Sequence, residues 1–410
     1  MRASVEEQKG LLWKSFFIFS GIMSLVYWSF LLNLTLYFDL TIAQGYFLYV
    51  TLTYSIGSIA SFVTGKLIFK KWKSQKIIFA GTLIASLSYI FLIILLESIS
   101  CVLARKILVI TLMGVYSYFN GYFQGVMSGF ASICGPLSIS AYNTGTGIAG
   151  FGANLVAIVF VFIFPTTRPQ TRLLRLHHQI RAYLGFILVM FSCYLLVMVK
   201  YFKRFGHFVS SFDQVSDNLK PISPPLEECS SLTSWKTLKS EPKYSAWSVL
   251  KRIIDILFAM IFTYCISIET LCFVIPNLTL KFDQNNELYL LIFYFLDNLG
   301  DALGKMTPVR WNIHSSFFIH FWTLFRAVFK VYFIFLLFSS PSAFWSHYFL
   351  RGLSIFLFGL SNGFLTKNYF CIASLRFRHP DNQDFAGFFT IFALIFGVAC
   401  GTLSGVLWDL

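Results

Sequence analysis

Charge is scarce in this chain. Only 12% of its 410 residues are Asp, Glu, Lys or Arg, about half the share of a soluble domain. Apart from one polar stretch near the middle, no segment is hydrophilic enough to form a separate soluble domain. The net charge of +14 therefore has no basic face to carry it, which argues against nucleic acid as a partner. Cysteine pairing motifs are missing too. The eight cysteines, Cys101, Cys134, Cys193, Cys229, Cys265, Cys272, Cys371 and Cys400, form no CxxC and stand at no metal spacing from a histidine. Seven lie in or beside apolar runs and read as small core residues, so neither a disulfide framework nor a metal centre is expected. The 26 glycines follow no period, which excludes a collagen-like repeat. What the chain does have is 57% hydrophobic residues, 49 of them Phe, and a mean hydropathy of +0.70. The class is an all-α polytopic membrane protein.

Spanning the hydrocarbon takes about 20 mostly apolar residues. On that rule eleven helices are expected, near 15–38, 46–69, 77–96, 107–133, 141–164, 182–201, 253–278, 288–304, 315–338, 344–370 and 385–408. With the N-terminus inside, 22 of the 32 Lys and Arg fall on the cytoplasmic side and 8 outside, so the positive-inside bias favours a cytoplasmic N-terminus and an external C-terminus. Arg168, Arg172, Arg175 and Arg181 run against that bias. Residues 202–248 are rich in Ser, Pro, Lys and Glu, cannot bury a core, and read as a disordered cytoplasmic loop. It separates an N-terminal six-helix bundle (1–201) from a C-terminal five-helix bundle (249–410).

Two fingerprints fail on context. Gly145, Gly147 and Gly150 spell GxGxxG, but no strand precedes them and no acid follows until Asp213, so no dinucleotide site is expected. Gly300 to Met306 falls one residue short of a phosphate-binding loop. No cofactor is expected. The other glycines make small faces, Gly121, Gly125 and Gly129 in one helix and Gly397, Gly401 and Gly405 in another, along which helices pack closely in lipid. His177 and His178 are the only hint of an enzyme. With Arg and Leu around them they read as a surface loop, and the chain reads as a non-enzyme.

Mid-helix charges cost about 2.5–3.5 kcal/mol on insertion scales, so each needs a partner or a wet cavity. In the eighth helix Tyr294, Asn298, Asp301 and Lys305 stand at i, i+4, i+7 and i+11, one polar stripe on an apolar cylinder. Asp301 and Lys305 are spaced for an ion pair, which serves equally a structural clamp or a cavity whose carboxylate takes hydrogen bonds from a polar solute. Asp297 is read as facing elsewhere. Leu25 and Trp28 offer an apolar and aromatic surface in the first helix, and Gln124 in the fourth needs hydrogen-bond partners. Glu269, Arg326 and Lys330 are expected to pair between helices.

Taken together, these residues resemble the equilibrative nucleoside transporter family. Its eighth-helix motif FNxxDxxGR is met by Asn298, Asp301 and Gly304, with Lys305 at the Arg position. Trp28, Tyr37 and Phe38 match its first-helix PWN…YF, and Gln124, Gly125 and Gly129 its QGxxxG. Thr144 to Gly150 is similar to SGQGLAG, and Ser361, Asn362, Gly363, Ala386 and Gly387 fit the last two helices. The resemblance implies a 6+5 major-facilitator-like arrangement and movement of nucleosides, or nucleobases, down their gradient by alternating access. It implies a site lined by Leu25, Trp28, Gln124, Tyr294, Asn298, Asp301 and Lys305, a plasma-membrane address, and no obligatory protein partner beyond the lipid bilayer. Three departures bear on substrate preference. Lys305 keeps the charge but lacks the planar fork of Arg, and Tyr27 and Ser29 replace the Pro and Asn beside the Trp. A carrier of the same architecture for another small polar solute, and a proton-coupled nucleoside symporter, remain open.

Overall fold

The computed structural model describes residues 10–43, 45–68, 74–164, 169–215, 242–283, 287–311, 315–340 and 344–409, all helix, turn or loop. The principal helices are α1 (Leu11–Asn33), α2 (Tyr46–Ile68), α3 (Ser74–Ser98), α4 (Val102–Cys134), α5 (Pro136–Ile163) and α6 (Pro169–Val215). After the central segment come α7 (Ala246–Glu269), α8 (Glu287–Met306), α9 (Ser316–Phe338), α10 (Tyr348–Leu375) and α11 (Pro380–Asp409). Short helices Thr35–Thr41 and Ile275–Asp283 extend α1 and α7. Among the described residues ten helices are long and apolar enough to cross a membrane, all of those numbered except α8. At 1.5 Å per residue the 20 residues of α8 still reach about 30 Å, the thickness of the hydrocarbon. Its charges are tolerated because it lies between α5 and α10. Lipid instead meets faces such as that of α9, where Phe317, Phe318, Phe321, Leu324, Val328 and Val331 are exposed.

Helices α1–α6 contact one another chiefly as α1–α5, α2–α4 and α3–α4, and α7–α11 as α8–α10 and α7–α11. Across these two sets, α5 meets α8 and α11 meets both α4 and α2. Small residues make the closest approaches, as expected where no water drives helices together. A Cβ on Gly359 would overlap the carbonyl of Asp297, and one on Gly363 that of Asp301, so α10 fixes the backbone beneath both acids. Gly121 faces Ser58 and Ser61 of α2, and Gly397 and Gly401 face Ile261 and Cys265 of α7.

Two segments differ from expectation. Helix α6 continues to Val215, and residues 242–248 turn into α7 with Tyr244 N–H donating to Asn382 Oδ1 (2.9 Å) and Lys243 paired with Asp381 (2.6 Å). The expected loop thus begins and ends in structure, while 216–241 lies outside the described residues. The Arg-rich stretch is not a loop where it is described, since α6 starts at Pro169. There Arg181 Nε donates to Glu97 Oε1 at the end of α3 (3.0 Å) and Arg175 is buried. His177 and His178 sit on the same helix, against Tyr37 and Phe164, not on a loop.

Candidate functional site

Helix α7 is broken where it borders the centre of the molecule. Thr270–Val274 forms a π-helical turn, and Ile275 N–H bonds back to Thr270 O. In that register the carbonyl of Leu271 faces residue 276, a proline with no N–H to give. The hydroxyl of Tyr294 on α8 fills the vacancy, donating to Leu271 O at 3.1 Å. A wide turn is the sequence's way around Pro276, and such turns recur at functional sites.

Beside it lies a cavity of about 140 Å³ bounded by α1, α2, α4, α5, α7, α8, α10 and α11. Of the residues expected at the site, Leu25, Trp28, Gln124, Asn298, Asp301 and Lys305 line it. Tyr294 does not. Its ring is buried with Ile266, Val274 and Phe293, and its hydroxyl is used by the π turn. Lys305 Nζ and Asp301 Oδ2 are 2.6 Å apart, and Asn362 of α10 donates to the other carboxylate oxygen at 2.8 Å. Asn298 donates to its own helix at Tyr294 O (2.9 Å). Gln124 donates to Ser24 O (2.7 Å) and Tyr54 Oη (3.3 Å), tying α4 to α1 and α2. One face of Trp28 stacks on Tyr54 with centroids 4.6 Å apart.

Asp297 corrects the sequence reading. It lines the cavity and is only 5% exposed. Residues 297 and 301 are one turn apart, offset by about 40° on the helix, so the stripe includes both acids. Tyr264, Thr366 and Asn362 also belong to the lining; Asn362 matched the tenth-helix pattern but was not placed at the site, and Tyr264 and Thr366 were not foreseen. For those two the only signal was a polar residue in an apolar run. The remaining membrane charges divide. Lys330 pairs with Glu269 at 2.7 Å, as expected. Arg326, fully buried, pairs with no carboxylate among the described residues and instead donates to Phe358 O (3.0 Å), Ser361 Oγ (2.8 Å) and Ser267 Oγ (2.8 Å).

Solved structures of membrane transporters share the fold, among them the following three. The E. coli fucose:proton symporter FucP matches with a TM-score of 0.54 at 15% identity, covering 97% of this chain and 91% of its own. A bacterial homologue of the iron transporter ferroportin, in an outward-facing state, matches with a TM-score of 0.57 at 10% identity, covering 97% and 92%. The human organic anion transporter MFSD10 (TETRAN) matches with a TM-score of 0.54 at 11% identity, covering 96% and 93%. The arrangement is thus major-facilitator-like. No curated protein matches the chain in sequence. The sequence profile of the nucleoside transporter family does, over residues 107–410, a segment that holds Gln124 and every α8 residue of the cavity but leaves out Leu25 and Trp28. On that match the chain belongs to the nucleoside transporter family.

Proposed function

We propose that the chain is a carrier that moves nucleosides, and nucleobases by the same route, down their gradient by alternating access. The observation that carries this reading is the central cavity. It sits where α1, α2, α4 and α5 meet α7, α8, α10 and α11, and lines itself with both aromatic side chains, among them Trp28 and Tyr264, and hydrogen-bonding ones such as Gln124, Asn298 and Asp301. A nucleoside needs both kinds of group. Its base is flat and can lie along Trp28 and Leu25, while its sugar needs the hydrogen-bonding groups that α8 supplies. Gln124 and the Asp301–Lys305 pair hold the wall in shape and offer their remaining donors and acceptors to the solute.

Alternating access needs two gates, and the contacts across the halves support a closed one. Ser128 Oγ donates to Gly387 O (2.9 Å), Ser374 Oγ to Ser132 O (3.1 Å), and Phe62 meets Phe388 with centroids 4.8 Å apart. All lie toward the end where α4 turns into α5. With the N-terminus in the cytoplasm, as the Lys and Arg distribution favours, this is the inner gate. The C-terminus is then outside, and the plasma membrane is the address we assign.

The test is uptake of tritiated adenosine, inosine and hypoxanthine by proteoliposomes holding the purified chain, with and without a pH gradient. Saturable uptake that reaches equal concentrations inside and out is the expected result. Accumulation only with acid outside would replace facilitation by proton symport. No uptake of any of the three by folded protein would end the nucleoside reading.

A further inference from the structure

Arg326 of α9 is fully buried and meets no carboxylate among the described residues. Its guanidinium lies over the ring of Phe358, 4.2 Å from the centroid. One terminal nitrogen donates to Phe358 O and Ser361 Oγ of α10, and the other to Ser267 Oγ of α7 at 2.8 Å. Neutral hydroxyls or amides would tie three helices together without the cost of a charge in the membrane. What a guanidinium adds is direction, because it carries five donors and no acceptor.

That direction runs on into the cavity. Ser267 Oγ accepts from Arg326, so its one proton turns to the acceptors on its other side, Thr263 O (2.7 Å) and Asn362 Oδ1 (3.0 Å). Facing that proton, the Asn362 amide presents its oxygen to Ser267 and its nitrogen to Asp301 Oδ1, at 2.8 Å. Lys305 Nζ takes the other carboxylate oxygen at 2.6 Å. The donors thus all point one way, from Arg326 to Ser267 to Asn362 to Asp301, across α9, α7, α10 and α8. The two ends of an amide are nearly alike in size, and a reversed Asn362 would set its oxygen against the carboxylate. Ser267, Asn362, Asp301 and Lys305 line the cavity, whereas Arg326 stands behind them.

We propose that Arg326 is a positioning residue of the transport site: by setting the direction of the bonds through Ser267 and Asn362, it keeps an amide N–H on Asp301 and the carboxylate fixed at the cavity wall. The inference rests on the nucleoside reading above for its transport readout, but not for its spectroscopic one.

The test compares Arg326→Gln, Ser267→Ala and the double variant with the wild type. Adenosine uptake by proteoliposomes gives KM and the maximal rate. The infrared carboxylate band of Asp301, assigned by its loss in Asp301→Asn, reports the hydrogen bonding of that group without any substrate. Both single variants should shift the band in the same sense and raise KM about tenfold, the worth of a hydrogen bond to a charged acceptor. The double variant should match Arg326→Gln alone, because residues that act through one chain of bonds are not additive. A lower melting temperature and less active carrier, with KM and the band unchanged, would make Arg326 a structural tie and overturn the proposal. Single effects that multiply to about a hundredfold in the double variant would overturn it too, since Arg326 would then act by a route that bypasses Ser267. Should Arg326→Gln fail to fold, Ser267→Ala decides alone, and a normal KM with an unshifted band refutes the relay. A wild type that moves no nucleoside ends the nucleoside reading, and the band in the two single variants still upholds or overturns the role of Arg326.

Discussion

Removing one member of the Asp301–Lys305 pair should damage the carrier unequally, because the two groups are unequally supported. Lys305 is 3% exposed and its ammonium has Asp301 as its sole ion-pair partner among the described residues. Asp301 keeps Asn362 as a second hydrogen-bond partner. Breaking a buried pair by deleting one partner costs about 3–5 kcal/mol, chiefly because the other charge is stranded. Asp301→Asn strands the ammonium and belongs at the upper end of that range. Lys305→Met strands a carboxylate that Asn362 still solvates and belongs at the lower end. The double variant strands nothing, and replacing a buried pair by neutral groups is often close to neutral. Its cost should therefore fall well below the sum of the singles, with a coupling of about 2 kcal/mol or more. Denaturation of the purified proteins in detergent measures the three costs, and adenosine uptake measures function separately. Asp301→Asn should abolish uptake while still reaching the membrane, and the double variant should be well folded and still inactive. Additive single costs would show that the pair is not coupled. Wild-type uptake by Asp301→Asn would reduce the polar stripe to packing.

Other substitutions follow from single contacts. Tyr294→Phe removes the donor to Leu271 O and should cost about 1–3 kcal/mol, read as a lower melting temperature with the order of substrate preference unchanged. Gly363→Ala places a methyl against the Asp301 carbonyl, so α8 must shift. A cost of about 1–3 kcal/mol in stability should come with a loss of uptake larger than that of Gly152→Ala, where a Cβ meets open space. Gly387→Val pushes side-chain atoms onto Ser128 and Ser132 and should keep the inner gate from closing, so that a cysteine introduced at Ser132 labels faster from the cytoplasmic side than in the wild type. Glu269→Gln leaves Lys330 without its 2.7 Å partner, but Lys330 is a quarter exposed, so its stability cost should be smaller than that of Asp301→Asn.

The spans and the site differ in how far a sequence can specify them, and the reason is physical. Each transmembrane helix satisfies its own backbone, so a long apolar run is enough to predict it, and the eleven expected spans match α1 to α11. Even α8, the one numbered helix that is not long and apolar enough by composition, was counted as a span, and its polar residues repeat at the helical period. The site is made of relations between helices, and a one-dimensional pattern carries those only in part. Asp297 was assigned to another face, although its offset of one turn from Asp301 places both on the same side. Tyr294 shares the stripe's angle, but the angle cannot tell that Pro276, on another helix, creates a bare carbonyl within reach of its hydroxyl. Arg326 looked like half of an ion pair, yet its bonds go to neutral oxygens of α7 and α10 and its charge is answered only at a distance. In each case the missing information is which helix stands opposite. The glycines decide that, since Gly359 and Gly363 bring α10 onto the carbonyls of the two acids themselves. The residues that read as mere packing in the sequence are thus what set the depth of the carboxylates in the cavity, and a substitution there should alter selectivity without touching a single polar group.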